Sequence, residues 1–183
     1  METDLPLTWG EGAEWPSFIH AKNLAQTDNP LEMFDFWNPE RTGQPETDYL
    51  TGQHHCMTAI AFAQSFGGKN MVANVIGSMY RHGLGPMERG FINVLASKAT
   101  WGRLPAPIPA EMIEMTTRMC GKSEDEIRRG EAEGREFLGV ARDCQMPDLI
   151  EDLLSDVFTG KMDYGALSFV FVVCAAAVSG ARH

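Results

Sequence analysis

The most restrictive feature of this sequence is the run GALSFVFVVCAAAV, residues 165–178, which contains no charged side chain. A helix that is apolar on every side needs a nonpolar environment all round. A membrane span needs about 20 such residues, and this run is shorter and rich in alanine. We therefore expect it to form a central helix around which the rest of the fold packs, and we do not expect it to enter a membrane.

Hydrophobic residues recur at helical spacing through most of the remaining chain. Met71, Val75 and Met79, for example, form one apolar row of a helix. No strand-like alternation of useful length is present. The sequence therefore predicts an all-α fold, a single globular helical bundle of about six to seven helices that occupies residues 47–183. The predicted helices cover residues 47–66, 70–82, 86–100, 109–119, a segment that starts at 123, 147–158 and 163–179.

Residues 1–46 are predicted to form an irregular, acidic and aromatic N-terminal arm. The prolines in this segment and its lack of a sustained period argue against regular helix. Trp9, Trp15 and Trp37 make it too apolar for a free tail, because a disordered segment has little to bury. We expect the arm to pack on the helical domain. The alternative is that its segment LEMFDFW, residues 31–37, binds a partner.

Charge is distributed unevenly along the chain. The formal net charge of -10 opposes non-specific binding of the whole surface to DNA or anionic lipid. Residues 49–104, however, carry five bases and one acid, and lie between two acidic flanks. One hypothesis is therefore a nucleic-acid-associated module that uses a basic hairpin, residues 69–103. Its phosphate contacts would come from Lys69, Arg81, Arg89 and Lys98, with Tyr80 or Trp101 available for stacking.

The triplet His54, His55 and Cys56 raises the question of a metal site or a nucleophile. Adjacent residues on a helix point about 100° apart, so the three cannot converge on one ion. A metal-dependent enzyme centred on His54 and His55 would need His20, His82 or a distant acid as a further ligand, and remains an alternative. We predict no catalytic residue, metal or cofactor. The four cysteines form no C-x-x-C pair and are expected to be reduced thiols.

The segment VANVIGSMYRHGLGPMERGFINVLASKA, residues 72–99, resembles a helical hairpin of proteins encoded by phages and plasmids. It covers about a sixth of the chain, and it departs from such hairpins at Pro86-Met87, where they often carry Gln or Lys. The resemblance implies that the protein comes from a mobile element, and it assigns no catalytic residue. The residues that match are Ser78, Tyr80, Arg81, Gly83, Leu84, Phe91 and Leu95.

These patterns lead to a hypothesis about function. We expect a non-enzymatic protein-interaction factor, an inhibitor or adaptor whose acidic surface binds a basic protein partner or mimics nucleic acid by presenting carboxylates where phosphates would lie. The acidic N-terminus lacks the basic and apolar regions of a signal peptide, which predicts a cytoplasmic protein without membrane contact. The residues predicted to form the acidic surface are Glu124, Asp125, Glu126, Glu131 and Glu133.

Overall fold

The fold was described from a computed structural model that covers residues 16–19, 22–23, 34–66, 69–120, 124–160 and 163–180. Most of these residues are helical, which confirms the all-α prediction. The helices are α1 (Pro45–Phe66), α2 (Lys69–His82), α3 (Pro86–Trp101), α4 (Ala110–Cys120), α5 (Glu124–Asp143), α6 (Pro147–Thr159) and α7 (Tyr164–Val178). The strands β1 (Lys22–Asn23) and β2 (Phe34–Asp35) pair in antiparallel fashion.

Proline and glycine set several of the helix boundaries, as the sequence predicts. Pro86 and Pro147 stand in the first turn of α3 and α6, where the missing amide proton costs nothing. Gly83 has a φ of 82° after the end of α2, a left-handed conformation that glycine adopts without strain. The observed bounds therefore differ from the predicted ones by only one or two residues.

Helix α7 lies at the centre of the bundle. It packs against α5, α3, α2 and α1, and its residues 172–178 are all buried. The prediction of a central apolar helix is thus confirmed. Across the described ranges, none of the helices combines the length and the apolar character needed to cross a membrane.

Glycines allow the helices to cross at very short distances. A methyl group built on Gly90 of α3 would lie 2.0 Å from the carbonyl oxygen of Tyr49 on α1. A methyl group on Gly52 of α1 would similarly meet the backbone of Met87, and one on Gly130 of α5 would meet Gly165. The backbones of α1 and α3, and those of α5 and α7, are therefore in direct contact. At these glycine positions neither crossing leaves room for a larger side chain.

The described part of the arm is attached to α2 and α3 by buried polar contacts. Trp37 is fully buried, and its indole Nε1 donates a 2.6 Å hydrogen bond to Oε1 of Glu88. The backbone N–H of Phe36 donates to Oγ of Ser78 over 2.8 Å. Arg41 completes the contact by donating to the same Glu88 carboxylate. Residues 1–15, 20–21 and 24–33 of the predicted arm, which include the first three residues of the segment 31–37, lie outside the described residues.

Candidate functional site

Two of the predicted acids of α5, Glu124 and Glu133, are paired with bases one helical turn away. Glu124 forms an ion pair with Arg128 over 2.8 Å, and Glu133 lies 4.0 Å from Arg129. These i,i+4 pairs are exposed, and each is worth only a few tenths of a kcal/mol, ~0.3–0.5. Asp125 is exposed and Glu126 is half-buried. Much of the predicted acidic surface on α5 is therefore neutralised locally.

Glu131 lies outside this exposed surface, because it has a structural partner. Its side chain is buried and accepts a 2.8 Å hydrogen bond from the backbone N–H of Ile108. Arg135, one turn later, donates to the carbonyl oxygen of Pro105 over 2.6 Å. The two charged residues hold the proline-rich segment between α3 and α4 against α5. Glu131 is thus unavailable to a partner.

A row of aspartates on α6 carries the unbalanced negative charge. Asp148, Asp152 and Asp156 follow one another at i, i+4 and i+8, and all three are exposed. In the described part of the chain no Lys or Arg lies within ion-pairing distance of them. Successive members are about 6 Å apart along the helix axis, and like charges at this spacing repel by roughly 0.2–0.5 kcal/mol per pair. The fold tolerates this repulsion without neutralising it.

The aspartate row ends at a cavity of about 560 Å³, which is lined by Asp156 and which we call the acidic groove. Its charged lining comes from Glu133 and Arg129 of α5, Asp156 of α6 and Asp163, and three of these four groups are acids. Asp163 is engaged as the N-cap of α7, since it accepts a 2.9 Å hydrogen bond from the N–H of Ala166. The apolar part of the lining is Phe137, Leu153, Val157, Ala166 and Phe169.

The acidic groove differs in chemistry from the other large cavities. A cavity of about 300 Å³ beneath α4 has no Asp, Glu, Lys or Arg in its lining. A third, of about 440 Å³ near the end of α7, has only Arg103 as a charged group. Among these three cavities of the described structure, acidic side chains and apolar surface coincide in the acidic groove alone. Such a lining suits a group that is both basic and apolar.

Two residues of the proposed basic hairpin, Arg89 and Lys98, lie on opposite sides of α3. Arg81 lies in the last turn of α2 and donates a 3.1 Å hydrogen bond to Ser78, while Arg89 and Lys98 are exposed on α3. Nine residues separate Arg89 from Lys98, which places them about 180° apart around the helix. The side chain of Lys69 lies outside what the structure describes. Tyr80 donates to the carbonyl oxygen of Gly160, and Trp101 is exposed.

The adjacent histidines have separate environments. The His54 and His55 rings have centroids 6.4 Å apart; His54 is exposed, whereas His55 stacks on Phe18 with a centroid distance of 4.0 Å and contacts the edge of Trp37. Within the described ranges, no three His, Cys, Asp or Glu side chains come together in a group that could hold a metal ion. Cys56 is fully buried, and burial raises the pKa of its thiol well above the usual range.

His55 gives the protein a predicted sensitivity to acid. Burial, with a smaller contribution from the charge of His54, lowers the pKa of His55 to about 4 from an ordinary value of 6.5. The unfolded chain therefore takes up this proton first, and the stability contribution of neutral His55 is lost as the pH falls from 6.5 towards 4. Allowing for the half-exposed ring, we expect a loss of about 1–2 kcal/mol. Unfolding measurements on wild type and His55→Gln should show a smaller loss in the variant; equal losses would contradict the assignment.

No protein-family model, curated protein or solved structure matches this chain. The resemblance of residues 72–99 to a mobile-element hairpin therefore stays a prediction. In the structure, two of its matching residues, Ser78 and Tyr80, make hydrogen bonds within the fold, to Phe36 and Gly160.

Proposed function

We propose that this protein is a non-enzymatic interaction factor whose acidic surface binds a basic protein partner. The observation that carries the proposal is the acidic groove together with the exposed aspartate row of α6, Asp148, Asp152 and Asp156, which reaches the groove at Asp156. An isolated exposed carboxylate is ordinary, but a row left unbalanced beside an apolar cavity offers both long-range attraction and a surface to bury. The proposal moves the centre of the acidic surface from the start of α5 to α6, and keeps Glu133 only as a part of the groove lining, where it is paired with Arg129.

The groove favours a basic and amphipathic partner segment. Lys or Arg side chains could meet the aspartate row, while an apolar side chain of the same segment fills the cavity between Phe137, Leu153 and Phe169. Basic side chains at i and i+4 of a helix are about 6 Å apart along its axis, which matches the spacing of the aspartate row. Electrostatic attraction of this kind mainly raises the association rate and selects the partner.

Mimicry of nucleic acid is a narrower form of the same proposal. A strand of double-helical DNA carries one phosphate per ~3.4 Å of axis, whereas the aspartates of α6 repeat every ~6 Å. The row is therefore about half as dense in charge as the strand that it would imitate. This difference favours a partner that presents a few basic side chains. It does not favour a partner with a long channel that binds nucleic acid.

The test is to neutralise the row and measure binding. We expect the triple variant Asp148→Asn, Asp152→Asn, Asp156→Asn to bind a labelled amphipathic peptide with Lys at i and i+4 at least tenfold more weakly than wild type, as measured by fluorescence anisotropy. The matched control is Glu40→Gln, Glu46→Gln, Glu111→Gln, in which three exposed acids are removed elsewhere. Both variants change the net charge of -10 by the same three units.

The two variants separate a local site from a general charge effect. Equal weakening in the control would show that net charge alone attracts the peptide, and the proposal would fail. Affinity capture from the native host lysate, with and without nuclease, then identifies the partner. A complex that survives nuclease and depends on Asp148, Asp152 and Asp156 supports the proposal, while one lost on nuclease treatment favours the basic hairpin, residues 69–103.

A further inference from the structure

Beyond Glu46 in its first turn, the outer face of α1 lacks charge although the chain as a whole is highly charged. Between Thr47 and Phe66 the single charged residue is Asp48, and that residue is buried. Leu50 is 58% exposed and Met57 is 45% exposed on this face. A surface with exposed apolar residues and few charges has the composition of the centre of a protein interface.

The exposed residues of this face follow the spacing of a coiled-coil seam. Leu50, His54, Met57 and Ala61 are all exposed and are separated by four, three and four positions. This is the a/d spacing with which two helices pack at about 20° to each other. The flanking positions Thr47, Thr51 and Thr58 are uncharged. We name these four residues, Leu50 to Ala61, the α1 seam.

We propose that the α1 seam joins two copies of this chain in an antiparallel dimer. A two-fold interface places each surface against its own copy, so a charged patch would face the same charge. The chain has a net charge of -10, but α1 carries no Asp, Glu, Lys or Arg between Leu50 and Ala61, so two copies can meet there without this repulsion. Charge therefore favours a second copy at this face.

The antiparallel direction follows from the sizes of the side chains. A two-fold axis between positions 54 and 57 sets Leu50 opposite Ala61 and His54 opposite Met57. Leu50 then faces the small Ala61, while His54 and Met57, which are similar in size, face each other, so the interface is filled evenly along its length. The parallel arrangement would instead set Leu50 against Leu50 and leave a gap at Ala61. The opposed helix dipoles also favour the antiparallel pair.

The dimer is independent of the acidic groove. Helix α3 packs against both α1 and α6, which have little or no contact with each other, so the α1 seam and the aspartate row lie on separate helices. A dimer formed through α1 would present two acidic grooves and could bind two partner segments. If the peptide fails to bind, the dimer proposal is unaffected. If the protein fails to dimerise, the proposal for the acidic groove is unaffected.

Sedimentation velocity on the full chain tests the dimer. The seam offers fewer residues than the roughly 20 per side of a standard stable interface, so we expect a weak dimer whose population rises between about 1 and 200 μM. Met57→Glu should weaken dimerisation at least tenfold. The matched control is Met115→Glu on α4, where an equally exposed methionine takes the same charge. A wild-type protein that stays monomeric at every concentration, or equal effects of both variants, would overturn the proposal.

A charge exchange tests the direction of the two helices. Leu50→Lys and Ala61→Glu should each weaken the dimer, because each places an unpaired charge in the seam. In the antiparallel dimer the double variant sets each new Lys opposite a new Glu, and dimerisation should recover. In a parallel pair the double variant would set like charges together and be weaker than either single variant, which would overturn the antiparallel arrangement. Circular dichroism and the melting temperature confirm that the variants fold.

Discussion

Replacing Gly90 by alanine should lower the free energy of unfolding by about 3 kcal/mol, at the upper end of the cost of overpacking. The added methyl group would lie 2.0 Å from the carbonyl oxygen of Tyr49 and 3.2 Å from the amide nitrogen of Gln53. Both atoms belong to the backbone of α1, so no rotamer change can relieve the contact. Helices α1 and α3 would have to separate, and the packing between them would loosen.

Gly139→Ala is the matched control for this substitution. Gly139 lies inside α5, and a methyl group built there meets nothing within 4 Å. The same change of residue should therefore stabilise the protein by about 0.5–1 kcal/mol, the usual gain for alanine over glycine in a helix. Urea unfolding of the two variants gives both values. Similar urea midpoints for the two variants would show that the backbones of α1 and α3 are not in direct contact at Gly90.

The contrast between these two glycines shows which parts of the fold can be predicted from sequence. Local signals are sufficient for the helices: apolar rows at helical spacing, Pro86 and Pro147 at helix starts, and Gly83 after the end of α2. These local signals do not predict where two helices cross in close contact. In sequence, Gly90 and Gly139 are both helix-interior glycines with the same local cost. The backbone that faces each of them is decided by tertiary packing.

The acidic surface, too, is only partly predictable from local sequence. The pairs Glu124–Arg128 and Arg129–Glu133 stand at i,i+4 in the sequence, and that spacing could have indicated that α5 neutralises its own acids. The row of Asp148, Asp152 and Asp156 is also visible as spacing. Its lack of partners and its position beside a cavity depend on how α5, α6 and α7 pack, which no local pattern reports.

Replacing Arg41 by methionine should lower the free energy of unfolding by about 3 kcal/mol at pH 7, because it removes the cation from a buried carboxylate. Glu88 is completely buried, and the Arg41 guanidinium lies 2.6 Å from its Oε1 atom. Burial alone would raise the pKa of Glu88, but hydrogen bonds from Arg41 and Trp37 outweigh it and hold the pKa below the usual 4.5. In the variant the indole of Trp37 and the backbone amides of Gly85 and of Glu88 itself remain to stabilise the charge.

The matched control is Arg118→Met, which breaks an ion pair of the same length in a different environment. Arg118 lies 2.6 Å from Glu114, but both side chains are at least 70% exposed. Its loss should change stability by less than about 0.5 kcal/mol. If both variants lost the same stability, the burial of Glu88 would have no energetic consequence.

The dependence on pH separates an uncompensated charge from a mere loss of packing. In wild type the lowered pKa of Glu88 contributes stability that is present above the unfolded value near 4.5, and that contribution is lost as the pH falls through the folded value. In Arg41→Met the desolvated carboxyl titrates at a higher pH, because burial is opposed by fewer donors. Protonation then removes the buried charge, so the stability difference between variant and wild type should shrink between pH 7 and pH 4. A difference that stays constant over this range would mean that Arg41 acts through the packing of its aliphatic chain. A difference that shrinks would assign its effect to the charge of Glu88, and with it the attachment of Trp37 to α3.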